Sequence, residues 1–166
     1  MLLRAYLAGP EVFLRDAAAV GEAKKAICAR LGIDGVFPLD GAGALDGDPA
    51  VQADAIFRRC LAHIDACDVV IANMTPFRGA SMDAGTAVEI GYAFARGMRV
   101  FAYTNAPADY RFRVADDGMS VEDFGFVDNL MCEGIVRASG GSVVRGDGPV
   151  DDLTAFEACV RLIPGA

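Results

Sequence analysis

The chain is predicted to fold as one α/β domain around a parallel, doubly wound sheet, and three features of the sequence carry that prediction. Short apolar runs alternate with stretches of helical periodicity along the whole length. The runs are apolar nearly throughout, as strands covered by helices on both faces must be, and do not alternate with polar residues. Loops bearing glycine or proline follow them, where a crossover to a helix begins. At 166 residues the chain fits a single domain spanning 1–166, long enough to bury a core without disulfides or metals to hold it.

LLRAYLA (2–8) reads as a buried first strand, ended by Gly9-Pro10. Ala17 to Ala29 are helix formers with apolar positions at helical spacing, capped by Asp16 and stopped by Gly32. Val36-Phe37-Pro38-Leu39 is a brief second strand, and its loop DGAGALDGD leads to Asp48-Pro49, an N-cap followed by proline at the first helical position. The helix that starts there runs to about Ala66 with Ile56, Cys60 and Ile64 on one face. DVVIANM (68–74) is continuous and β-branched, as a central parallel strand should be. A helix from about Thr86 to Arg96 follows, with Gly97 just beyond its end, and then the strand MRVFAYTN. Residues 105 to 127 are irregular, a length usually reserved for function or an interface. A helix from about Asn129 to Ala138, the strand SVVR, and a helix from about Asp152 to Ile163 capped by Asp151 or Asp152 complete the chain.

Five strands alternating with five helices imply a flavodoxin-like sheet in the order 2-1-3-4-5. Such sheets bind ligands beyond the carboxyl ends of their strands. The loops gathered there are AGPEVF (8–13), LDGAG (39–43), TPFRGASMDAG (75–85) and the long segment after Thr104.

Composition removes several classes of function. With 23 acidic against 15 basic residues, the net charge of −8 repels a phosphate backbone, so nucleic acid is a poor partner. No run of about 18 apolar residues spans a membrane, and Gly9, Pro10 and Glu11 interrupt the amino-terminal apolar stretch before a signal core forms. Five scattered cysteines, Cys28, Cys60, Cys67, Cys132 and Cys159, suit reduced thiols in a cytoplasm, and no pair has zinc-site spacing. The single histidine, His63, lies beside the apolar face of a helix and reads as a flanking residue, so chemistry has to rest on carboxylates. Gly41, Gly43 and Gly47 match neither a dinucleotide fingerprint nor a P-loop, and Asp46 and Asp48 lack the glutamate that a calcium loop needs. No cofactor or metal is called for. Asp68 opens its strand at the end opposite the site, which makes it structural.

Asp83 and Glu89 in SMDAGTAVEIGYAFARG carry the strongest chemical signal, because both lie on the predicted site edge. Thr86 and Glu89 also have the spacing of a helix capping box, which would make Glu89 structural. In the first turn of a helix the dipole would keep Glu89 ionised near neutral pH. An ionised carboxylate without histidine or metal suits retaining glycosyl transfer, in which it attacks an anomeric carbon and forms a glycosyl ester.

The segments AYLAGPEVF, FPLD, ACDVVIANMTPFRG, MDAGTAVEIGYA and FGFVDNLM, in this order over nearly the whole chain, resemble the nucleoside 2-deoxyribosyltransferases, especially those of the protozoan type. The resemblance implies transfer of 2-deoxyribose between nucleobases of 2′-deoxynucleosides in nucleoside salvage, on a flavodoxin-like fold and without a cofactor. By that resemblance Glu89 is the nucleophile at C1′, Tyr6 orients it, and Asp83 meets the sugar 5′-hydroxyl. Phe13 packs on the base, and Gly9, Asp40 and Gly79 belong to the substrate-binding loops. Asn129 and Met131 match residues that reach a neighbouring subunit's sugar, which implies a homodimer or higher homo-oligomer.

Two positions depart from the family pattern. Cys60 stands where relatives carry Asp or Asn, and Gly41 and Ala42 stand where relatives often carry Asn or Gln. Base preference and the proton donor to the leaving base therefore stay open. So do two other functions: an N-glycosidase that uses water as acceptor on nucleosides or their 5′-monophosphates, and a non-catalytic small-molecule-binding module in which Glu89 is only a cap. Asp83 would repel a phosphate, which favours an unphosphorylated nucleoside.

Overall fold

The computed structural model describes residues 2–43 and 46–165; Ala44 and Leu45 of the loop expected after the second strand lie outside them. Five strands, β1 (Leu3–Ala8), β2 (Ile33–Val36), β3 (Val69–Asn73), β4 (Arg99–Thr104) and β5 (Val143–Arg145), form one sheet in the order β2-β1-β3-β4-β5. Every neighbouring pair is parallel, and the register sets Tyr6 opposite Val36 on one side and Val70 on the other. The expected sheet and strand order are those observed.

Five helices cover the two faces: α1 (Ala17–Arg30), α2 (Pro49–Asp65), α3 (Ala84–Ala95), α4 (Leu130–Ala138) and α5 (Thr154–Val160). Because strand side chains point alternately to opposite faces, β1 divides its residues between two cores. Ala5 and Leu7 pack with Ile27 and Cys28 of α1 and Phe156 and Cys159 of α5. Tyr6 and Ala8 face the other way, into a core shared with Ile64 of α2, Ile90 and Ala93 of α3 and Val136 of α4. This alternation turns Tyr6 toward α3.

Four expectations about boundaries and caps are corrected. The second strand lies at Ile33–Val36, before the expected 36–39, because Asp40 accepts from the Phe37 N–H at 2.8 Å and closes a turn there. Helix α3 starts two residues before Thr86, with Asp83 as its N-cap and the Thr86 N–H donating to Asp83 Oδ2 at 3.0 Å. Glu89 is therefore in the second turn, and the Thr86–Glu89 capping box does not form. Asp16 occupies the N-cap position of α1 without a side-chain capping bond. Helix α5 spans only Thr154–Val160; Asp152 accepts from the Thr154 N–H, and Pro164 disfavours helical geometry in the residue before it. Asp48 caps its helix through its side chain as expected, and Asn129 caps α4 in the same way.

The long segment after β4 holds one 3-10 turn, Tyr110–Phe112, and is pinned by two arginines. Arg113 donates to the carbonyls of Ala80 and Val127, and Arg145 to those of Pro107 and Gly125. Asp68 accepts from the Arg4 N–H at 2.8 Å, in keeping with a structural part.

Candidate active site

A cavity of about 240 Å³ opens at the carboxyl ends of β1 and β2, walled by α2 and the start of α3. Its lining combines Gly9, Val12 and Phe13 from the loop after β1, Pro38 and Leu39 after β2, Ile56, Arg59 and Cys60 on α2, and Asp83, Gly85 and Glu89 on α3. Most of the wall is apolar, with two carboxylates and one guanidinium among it.

Gly9 is required by packing. A Cβ there would lie 2.0 Å from Glu11 Oε2 and 2.9 Å from the Asn73 side chain, so the chain turns close over β3 only without one. The turn then runs through a 3-10 helix, Pro10–Phe13, which delivers Val12 and Phe13 to the cavity. Phe13 stacks on Phe77 at 5.1 Å between centroids, and the Arg78 guanidinium lies over both rings. Arg78, with φ of 54°, is the one non-glycine among the described residues with positive φ. A strained residue of this kind is held by its surroundings, here the stack that fixes the Phe13 wall.

Glu89 reaches the cavity from the second turn of α3, beyond the Asp83 cap. Tyr6, fully buried, donates its hydroxyl to Glu89 Oε1 at 2.6 Å. Oε2 accepts no hydrogen bond from the described residues. Burial pushes the Glu89 carboxyl up to about 7; the Tyr6 hydrogen bond opposes that rise and the neighbouring Asp83 charge adds to it. The expectation of a carboxylate held ionised by the helix dipole is corrected on this point, because desolvation outweighs the dipole. Burial also raises the Tyr6 hydroxyl, so it stays a proton donor in its hydrogen bond. Asp83 uses Oδ2 for the cap, accepting from both the N–H and the hydroxyl of Thr86.

Of the residues expected at the site, the structure brings together Tyr6, Gly9, Phe13, Asp83 and Glu89. Asp40 is outside the lining, its carboxylate taken by the Phe37 N–H and the Lys25 ammonium, both at 2.8 Å. Gly79 lies in the exposed loop that carries Arg78 and does not reach the cavity. Asn129 caps α4 and donates to Glu122, while Met131 is 63% exposed; neither lines this chain's own cavity. Val12, Pro38, Leu39 and Arg59 are lining residues that the sequence reading did not single out. Arg59 was detectable as the residue between Ile56 and Cys60 at helical spacing. Burial raises the Cys60 thiol, which keeps it neutral beside Tyr6. His63 lies on α2 outside the lining, in keeping with a flanking role, and burial lowers its pKa. No cluster of potential metal ligands occurs among the described residues.

The fold and this cavity define an α/β protein with a carboxylate-bearing pocket at the strand ends. Residues 5–131 match the family model described as nucleoside 2-deoxyribosyltransferase, and the chain belongs to that family. A 2-deoxyribosyltransferase from Leishmania mexicana superposes with a TM-score of 0.67 at 27% identity, over 96% of this chain and 98% of that one. A CMP N-glycosidase from Clostridium botulinum shares the fold at 16% identity with a TM-score of 0.54, covering 96% and 99% of the two chains. An uncharacterised protein of Schizosaccharomyces pombe is 31% identical over 83% of this chain and 79% of its own. Family and fold together indicate a nucleoside-processing enzyme. No helix among the described residues is long and apolar enough to cross a membrane.

Proposed function

We propose that the protein transfers 2-deoxyribose between nucleobases through a glycosyl ester on Glu89. The observation that carries this reading is the hydrogen bond from Tyr6 to Glu89 Oε1, which orients the carboxylate and leaves Oε2 without a partner among the described residues. Oε2 attacks C1′ as the N-glycosidic bond breaks and its electron pair leaves with the base. A nitrogen of the acceptor base then attacks C1′ on the face the first base left, its N–H proton passes to solvent as the departed base takes one up, the ester bond breaks, and Glu89 is restored as a carboxylate. Tyr6 holds its proton throughout and positions the nucleophile; Asp83 accepts from the sugar hydroxyl.

Ionised Glu89 is the reactive form, so a carboxyl raised to about 7 makes the free enzyme more active as pH rises through neutrality. In the empty pocket the carboxyl is partly protonated, and the positive charge developing at C1′ favours the anion once substrate is bound. Transfer is favoured over hydrolysis by the apolar walls of Val12, Phe13, Pro38, Leu39 and Ile56, which hold a base and offer water few partners.

The oligomer implied by the resemblance is part of this reading. Exposed apolar residues on the long segment and the start of α4, namely Phe112, Met119, Phe124, Leu130 and Met131, support a subunit interface there. In that arrangement Asn129 and Met131 would serve the neighbouring pocket.

Incubation with deoxyinosine and adenine tests the reaction. Deoxyadenosine is the expected product. Free deoxyribose formed equally fast without an acceptor would establish the hydrolase instead, and no turnover of any deoxynucleoside would leave a binding module.

A further inference from the structure

The cavity's charges are arranged by element. Its two carboxylates, Asp83 and Glu89, come from α3, and its one cation, Arg59, comes from α2. Ile56, Arg59 and Cys60 lie at i, i+3 and i+4 and therefore share the helix face turned to the cavity. The other carboxylates of α2, Asp54 and Asp65, are exposed and engaged elsewhere, with Arg58 and with Tyr92 and Arg96. Arg59 Nε is buried and has no hydrogen-bond partner among the described residues, although a buried charged donor left unpaired is costly. If the sugar sits at Asp83 and Glu89 as in the proposed transfer, the part of the lining left to the base includes Phe13, Ile56 and Arg59.

We propose that Arg59 is a specificity-determining residue that reads the base, selecting 6-oxopurines through their O6/N7 edge and stabilising the base as it departs. The inference rests on the proposed deoxyribosyl transfer for the placement of the sugar. Guanidinium presents paired donors and no acceptor, which matches two adjacent acceptors; adenine offers N7 beside an N6 donor and matches a carboxamide instead. When the C1′–N9 bond breaks, its electron pair passes to the base, and the negative charge spreads through the ring system onto N7 and O6. Arginine keeps its proton, so it stabilises that anion electrostatically, and the base takes its proton from solvent afterwards. This arrangement makes a carboxylic acid at the base end unnecessary and fits the presence of Cys60, a weak donor, beside it.

The test titrates free hypoxanthine and free adenine into the protein by calorimetry and measures kcat/KM for deoxyinosine and deoxyadenosine as donors. The parent should favour the oxo compounds by about tenfold or more, the size of one matched bidentate pair. Arg59→Met should lose about tenfold or more on hypoxanthine and deoxyinosine and under about threefold on the adenine compounds. Arg59→Gln, whose carboxamide suits N6/N7, should move the preference toward adenine. Melting curves of both variants establish that they fold. Equal binding of the two bases by the parent, or a preference unchanged in both variants, overturns the proposal. Selective base binding without transfer would sink the transferase reading and leave the base subsite standing, and transfer without discrimination does the reverse.

Discussion

Glu11 and Glu89 are acidic residues of the same strand-end region, and each accepts a hydrogen bond from a buried tyrosine. Tyr103 donates to Glu11 at 2.7 Å and Tyr6 donates to Glu89 at 2.6 Å. Their acidities nevertheless move in opposite directions. Burial alone would raise Glu11, but the Lys24 ammonium at 2.7 Å, with Tyr103 assisting, brings it below the ordinary carboxylate value. Asn73 adds a third donor at 3.0 Å. Glu89 has one neutral donor and no ion pair among the described residues, and the neighbouring charge that acts on it is the like charge of Asp83, so burial wins and its carboxyl rises to about 7. The difference separates a carboxylate used to hold a turn in place from one kept available for reaction.

The two groups also tilt stability oppositely with pH. Glu11, depressed in the folded state, contributes stability that is present above its unfolded pKa and lost as pH falls through the folded one. Glu89, raised in the folded state, contributes stability that is full below the ordinary value of 4.5 and lost as pH rises through about 7. The site thus carries a stability cost at neutral and alkaline pH, with an upper bound of about 3 kcal/mol from the size of the shift.

The largest effect expected is on activity. Glu89→Gln removes the proposed nucleophile while keeping an acceptor for Tyr6, so kcat should fall on the order of 10⁴-fold or more. The same variant should melt at or above the parent's temperature at pH 8, because it no longer ionises in the pocket. Substantial remaining transfer activity, or a lower melting temperature, would show that Glu89 belongs with Glu11 as a structural group.

Next in size is a stability effect at the other carboxylate. Lys24→Met leaves Glu11 buried without its cation, and denaturant unfolding should show a loss of about 3–5 kcal/mol. Adding Glu11→Gln to that variant should recover part of the loss, since the uncompensated charge is then gone. The coupling should also appear in the site, because Glu11 belongs to the same turn as Val12 and Phe13. A loss under about 1 kcal/mol in the single variant would mean that the ion pair does not hold this turn.

How far the sequence reveals these roles depends on whether a contact is local. The sheet was legible because apolar runs and helical periods are local patterns, and β1 to β5 take the expected order. That Tyr6, Asp83 and Glu89 come together at one cavity was legible through strand-end topology and family motifs. Their electrostatics were not: the Tyr6–Glu89 bond joins residues 83 positions apart, and desolvation depends on packing that no spacing encodes. The Thr86–Glu89 spacing misled because Asp83 offered a competing cap three residues earlier and took it. Arg59 shares the face of Ile56 and Cys60 at helical spacing, while its neighbour Arg58 is an exposed partner of Asp54, and a surface charge and a cavity charge look alike until the helix is placed. Asp40 lies in a loop at the correct sheet edge, yet its side chain is spent on the Phe37 turn.

The smallest effect expected tests whether Asp83 acts on Glu89 by charge as well as by position. Asp83→Asn keeps a good N-cap for α3, so stability should change by less than about 1 kcal/mol. It removes the like charge that helps raise Glu89, and the rise of kcat/KM with pH should therefore have its midpoint below that of the parent. Tyr6→Phe takes away the opposing hydrogen bond and should move the midpoint upward. Profiles between pH 5 and 9 would show the two shifts, which must have opposite signs if burial, one donor and one like charge set the nucleophile's acidity. Coincident midpoints for the three proteins would mean that burial alone sets it, and that Asp83 serves only as cap and sugar contact.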